Sequence, residues 1–258
     1  SGKGYGHCPR YLEVAQTKRL SEFARQQKVT VNTLLQSAWL LLLQRYTGQD
    51  CVCFGATVSG RPAELKGIEQ QIGLFINTLP VIASPYAEQS VGQWLQTVQA
   101  QNLALREHEH TPLFEVQRWS QLSGEGLFDS LLVFENYPVS EALEQGSSSQ
   151  LRFDGIRLQE QTNYPLTLMV GLSDALSLHY HYANSDFSEE AIDQLNRHLT
   201  GLLLSMLDHP DCALGELSML DAAEQQVMAQ WNPPVNDYLL QHSVTQRIET
   251  QAERTPEA

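Results

Sequence analysis

Thr30-Val31-Asn32-Thr33-Leu34-Leu35-Gln36-Ser37-Ala38-Trp39-Leu40-Leu41-Leu42-Leu43 is the stretch on which the fold turns. Thr30 has the chemistry of a helix N-cap, and the residues after it are apolar on nearly every side of a helix. A helix of that kind has to be covered all round, so it belongs at the centre of a domain. Gly48-Gln49-Asp50 then turns the chain into residues 51–58, a continuous apolar run of strand length, as expected of a strand buried on both faces. Ser59-Gly60-Arg61-Pro62 breaks that run.

The pattern extends outward from there. A short strand is expected at 10–14, a helix over 17–27 with Leu20, Phe23 and Ala24 at helical spacing, and a strand from about Leu74 to Ala83. Ser90 caps a helix running towards His108, with Val91, Trp94, Leu95 and Val98 on one face. Further strands are expected at 129–136, 151–161, 166–172 and 176–182, with Gly146-Ser147-Ser148-Ser149 as a loop. Asp186-Phe187-Ser188-Glu189 resembles a capping box opening a helix that His209-Pro210 stops. Mixed strands with packed helices define an α/β fold built on a mixed β-sheet. Composition changes near residue 215. Beyond it come an amphipathic stretch at 217–230, the linker signal Trp231-Asn232-Pro233-Pro234 and a helix-like 244–254. The expected division is therefore 1–215 and 216–258, with Trp231 stapling the linker to the domain surface.

Acidic residues number 30 against 16 Lys and Arg in 258 residues, a formal charge of −14. That balance, with no basic run, argues against nucleic acid and against an anionic membrane surface as partners. At 42% apolar and 18% charged the chain can bury a core. Its strongest apolar run, residues 38–43, is far short of the roughly 20 residues that span a bilayer. Ser1-Gly2-Lys3-Gly4 has no signal-peptide character, so the expected compartment is the cytoplasm. Cys8, Cys51, Cys53 and Cys212 are too sparse for a disulfide scaffold and lack zinc-site spacing, which leaves core packing.

No nucleophile elbow, phosphate-binding glycine loop or H-E-x-x-H helix is present. His108-x-His110 and His179-x-His181 could each supply half of a metal site, but no third ligand is apparent, and Leu178 to Tyr182 reads better as a strand with one solvated face. No metal is expected. Pro112 pushes Thr111 to extended geometry as the preceding helix ends, a position from which a residue can face a cleft.

Three blocks together carry a resemblance: Thr47-Gly48-Gln49-Asp50, Phe54 through Pro62, and Ile72-Gly73-Leu74-Phe75-Ile76-Asn77-Thr78-Leu79-Pro80. With His108-Glu109-His110-Thr111-Pro112-Leu113 and residues 127–136, they resemble the second half of a nonribosomal peptide synthetase condensation domain over about residues 10–215. Residues 217–220, Trp231-Asn232 and 244–256 look like the linker to an adenylation domain and that domain's first helix. Leu113 departs from the family's usual Phe, and Ser123-Gly124-Glu125-Gly126 replaces an arginine-bearing lead-in. The family's H-H-x-x-x-D-G motif does not occur in the sequence.

The resemblance implies a chloramphenicol-acetyltransferase-like C-terminal subdomain that forms one wall of a tunnel. There a carrier-bound acyl or peptidyl thioester would meet a carrier-bound aminoacyl amine, each on a phosphopantetheine arm. It implies as partners an N-terminal condensation lobe, upstream and downstream peptidyl carrier domains and an adenylation domain. No cofactor is expected on this chain itself, and no catalytic residue, so the fragment alone is expected to be inactive. Gly73, Phe75, Asn77, Thr78, His110 and Pro112 would face the tunnel, and Gly60, Arg61 and Pro62 would begin its floor loop. Gly73 would allow close backbone approach to an arm, and Asn77 would either donate to a carbonyl or tie strand to loop. Arg61 could equally pair with a surface carboxylate. An epimerisation relative shares the fold, against which Phe75-Ile76-Asn77-Thr78 keeps the condensing pattern. A docking module without turnover is the remaining alternative.

Overall fold

Thr30 does cap the apolar helix: its Oγ1 accepts from the Thr33 N–H at 3.0 Å, and Gly48, left-handed at φ +67°, ends it. This is a computed structural model that describes residues 4–61, 67–120, 126–135, 162–231 and 243–256. In chain order the elements of the first unit are β1 (Tyr5–Tyr11), α1 (Val14–Gln26), α2 (Val31–Thr47), β2 (Val52–Val58), β3 (Asn77–Ala83), α3 (Val91–Arg106), α4 (Leu113–Ser120), β4 (Ser130–Glu135), β5 (Leu166–Leu172), β6 (Leu176–Ala183) and α5 (Glu189–Asp208). Two compact units result, Ser1–Met219 and Leu220–Ala258. The second holds α6 (Ala222–Trp231), where Trp231 is exposed, and α7 (Val244–Arg254), capped by Ser243.

Among the described residues six strands run in the order β1-β6-β5-β4-β2-β3. β4 pairs in parallel with β2 on one side and β5 on the other, while β1–β6, β5–β6 and β2–β3 are antiparallel, so the sheet is mixed. Alternate side chains on one face form the core: Val52, Phe54 and Ala56 from β2, Leu166, Leu168 and Val170 from β5, Leu178 and Tyr180 from β6. α2 lies against that face in contact with α1, α3, α5 and β2. Thr33 through Leu42 are consequently buried without interruption. The two core indoles find polar partners, Trp39 Nε1 on Ser130 Oγ at 3.4 Å and Trp94 Nε1 on the Ser37 carbonyl at 3.2 Å.

Several expectations change. The first strand is Tyr5–Tyr11 and not 10–14, because β1 is a sheet edge that buries only Cys8 and so has no apolar alternation to read. Residues 74–76 are outside β3, whose ladder ends where Asn77 faces Val58. α4 follows Pro112 directly, where only an extended turn was expected. The α5 cap is Ser188, whose Oγ accepts from the Ala191 N–H at 3.2 Å, two residues later than the motif suggested. Cys51 is exposed, whereas Cys8 is buried and burial pushes the Cys53 thiol up to about 12. Pro62, residues 123–125, Asn136, the loop at 146–149, the strand expected at 151–161 and Pro233-Pro234 lie outside the described residues.

Candidate functional site

The expected site residues fall in two groups joined by the chain from Phe75 to Asn77. Asn77 opens β3 on the same side of the strand as the buried Leu79 and Val81. Its Nδ2 donates to the carbonyl of Glu109 at 2.9 Å and to that of Thr111 at 2.6 Å. Both amide hydrogens are therefore engaged by backbone, and only Oδ1 is left for another partner. The tie holds the turn that follows α3, where Thr111 N–H donates back to His108 O at 2.9 Å and Pro112 O accepts from Glu115 N–H at 3.0 Å as α4 begins. His110 and Pro112 are exposed on this turn, and Thr78 stands opposite Thr57 in the ladder.

The second group forms around Phe75. Gly60 is left-handed at φ +62°, and a Cβ built there would lie 1.8 Å from the Phe75 carbonyl oxygen, so no other residue fits. This close crossing turns the chain out of the β2–β3 ladder and explains why 74–76 do not pair. Arg61 Nη1 donates to the carbonyls of Ile68 and Gln71, and its Cζ lies 4.4 Å over the Phe75 ring. Among the described residues Arg61 is thus engaged by backbone and ring. Gly73 faces that ring too, with a built Cβ 3.1 Å from it, so the close approach it permits is to Phe75. Pinning Phe75 leaves its apolar neighbours outward: Ile72 is 104%, Leu74 92% and Ile76 56% exposed. Three such side chains within five residues make a patch unlike a finished surface.

One association escaped the sequence. His7 of β1 stands opposite His181, with ring centroids 4.5 Å apart, and its Nε2 is 3.2 Å from His179 Nδ1. The third imidazole near the His179-x-His181 pair comes from the other end of the chain. Burial, and then the neighbouring His7, hold both His179 and His181 below the ordinary imidazole value. Among the described residues no three His, Cys, Asp or Glu side chains are grouped as a metal ion requires.

A mixed sheet carrying helices on its core face defines an α/β protein. The family model for the condensation domain matches residues 10–229, and the chain belongs to that family. It is 45% identical over 244 residues to a linear gramicidin synthase of Brevibacillus parabrevis, covering 94% of this chain and 5% of that protein. To chondramide synthase of Chondromyces crocatus it is 38% identical over 223 residues, covering 86% and 6%. It therefore spans a small part of these relatives. Among solved structures, a four-domain nonribosomal peptide synthetase bound to AMP and glycine superposes with a TM-score of 0.77 at 19% identity, over 99% of this chain and 20% of that one. The first condensation domain of the CDA synthetase gives 0.65 at 15%, over 84% and 48%. No helix among the described residues is long and apolar enough to cross a membrane.

Proposed function

We propose that residues 1–215 are the C-terminal lobe of a condensation domain and that 216–258 are the linker and first helix leading to an adenylation domain. The observation that carries this reading is the outward row of Ile72, Leu74 and Ile76 beside a turn locked by Asn77. An apolar rim left uncovered in this way suits a second lobe. The share of a solved condensation domain that this chain covers, 48%, supports the same reading.

In the completed domain this lobe forms one wall of the tunnel. The amine of an aminoacyl thioester attacks the carbonyl carbon of an acyl or peptidyl thioester. The C–N bond forms, the C–S bond breaks, the donor arm leaves as its thiol, and the amine gives up a proton. Both substrates arrive on phosphopantetheine arms of peptidyl carrier domains. Gly73, Phe75, Asn77, Thr78, His110 and Pro112 shape the wall, and Gly60, Arg61 and Pro62 begin the floor loop. The group that handles the proton belongs to the N-terminal lobe, so this lobe supplies proximity and orientation.

The test is reconstitution. The chain is combined with an N-terminal condensation lobe and two loaded carrier proteins, and the dipeptidyl thioester is read by mass spectrometry. Product from the pair and none from either half is the expected result. Product from this chain alone overturns the reading, and carrier binding without turnover in the pair assigns a docking module instead.

A further inference from the structure

A polar cavity of about 230 Å³ lies on the helix side of the sheet next to Asn77, walled by the start of α2, the ends of β2 and α3, and β3. Asn32, Gln36, Ser59, Asn102, Arg106 and Glu109 are among its lining residues. Much of the hydrogen bonding in this wall is internal. Gln99 Oε1 accepts from Thr33 Oγ1 at 2.6 Å and from the Thr30 N–H at 3.3 Å, and Asn102 Nδ2 donates to Thr33 Oγ1 at 3.3 Å. Two groups stand outside that network. Gln36 is only 3% exposed, and its Oε1 has no hydrogen-bond partner among the described residues. The same holds for Asn32 Oδ1, one turn earlier on the same wall.

A buried amide oxygen without a donor is unfavourable, and two on one cavity wall offer paired acceptors to a ligand that brings N–H or O–H groups in place of water. Charge narrows the choice. Arg106 and Glu109 offset one another on the wall, and the positive end of the α2 dipole opens there, so a cationic donor gains nothing. A neutral amide is the better match, because it presents both N–H and C=O to the carboxamides of Asn32 and Gln36.

We infer that this cavity binds a neutral amide group, held by Gln36 and Asn32. Under the function proposed above, that amide comes either from the pantetheine arm or from a carboxamide side chain of the amino acid being joined. The assignment of source rests on that function, and the requirement for an amide does not.

The experiment is a titration of the 15N-labelled 258-residue chain with pantetheine and, separately, with N-acetylglutamine. Saturable shifts of the Gln36 and Asn32 side-chain amide resonances are expected with at least one probe: pantetheine alone assigns the arm, and N-acetylglutamine alone a side-chain subsite. Gln36→Met, which keeps the volume and removes the acceptor, should weaken binding about tenfold and melt no lower than the parent. Asn32→Ala, at a less buried position, gives the same comparison if the first variant does not fold. The inference is overturned if neither probe moves these resonances, which leaves ordered water only, or if the variants bind as tightly as the parent. Reconstituted condensation without such binding sinks this inference and leaves the proposed function; binding without condensation does the reverse.

Discussion

Removing the Asn77 carboxamide tests how the turn before α4 is held. Its two hydrogen bonds, at 2.9 and 2.6 Å, both end on backbone carbonyls of that turn. At about 1 kcal/mol net for each bond, Asn77→Ala should lose about 2 kcal/mol. For a unit of this size that corresponds to a fall in Tm of about 4–8 °C. Asn77→Asp is the sharper probe. It keeps the shape but points a carboxylate at two carbonyl oxygens, so near neutral pH it should lose more than the alanine variant, about 3 kcal/mol. Acidification should narrow that difference, since a protonated carboxyl again offers one donor. Urea denaturation measures the totals, and amide hydrogen exchange over residues 107–116 locates them. In a reconstituted domain both variants should lower turnover, because the turn bearing His110 and Pro112 loosens. The reasoning fails if Asn77→Ala lies within about 0.5 kcal/mol of the parent, or if both variants lose the same amount with exchange over 107–116 unchanged.

Gly60→Ala combines a left-handed φ with a Cβ 1.8 Å from the Phe75 oxygen, so residues 72–76 must be displaced. Limited proteolysis should show faster cleavage there while α2 stays protected, and an unaltered cleavage pattern would contradict the crossing. Leu40 in α2 is fully buried, so Leu40→Ala should lose about 2–5 kcal/mol in denaturant titration; a loss below about 1 kcal/mol would mean that α2 is not central. His179 and His181 titrate in the folded state below their unfolded value of about 6.5, so the unfolded chain binds more protons as pH falls. Stability should thus decline as pH drops through about 6.5 and level off below the folded values. His181→Gln should flatten melting temperatures measured across that window, and an undiminished slope would remove this cluster as the cause.

The elements legible from letters alone are those whose reasons are local. The apolar run 38–43 within α2 states that the helix must be covered, and the Thr30 and Ser90 hydroxyls sit at helix starts because free N–H groups need them. β6 shows its strand period because one face is buried, and β5 shows a short run of mostly apolar residues because it is buried on both faces. β1 lies at Tyr5–Tyr11 and not at 10–14, since an edge strand burying one side chain leaves no period to detect. The motif residues were also visible, but their partners were not. Asn77 could have faced a ligand, yet its hydrogens go to carbonyls more than 30 residues away. His7 meets His179 across 172 residues, and Gln36 reads as an ordinary polar letter of the helix until the cavity beside it is seen. Periodicity and capping are written along the chain because each answers a demand of neighbouring backbone. Contacts between distant segments, and the polar groups they leave unmatched, exist only once the sheet and helices have closed on one another.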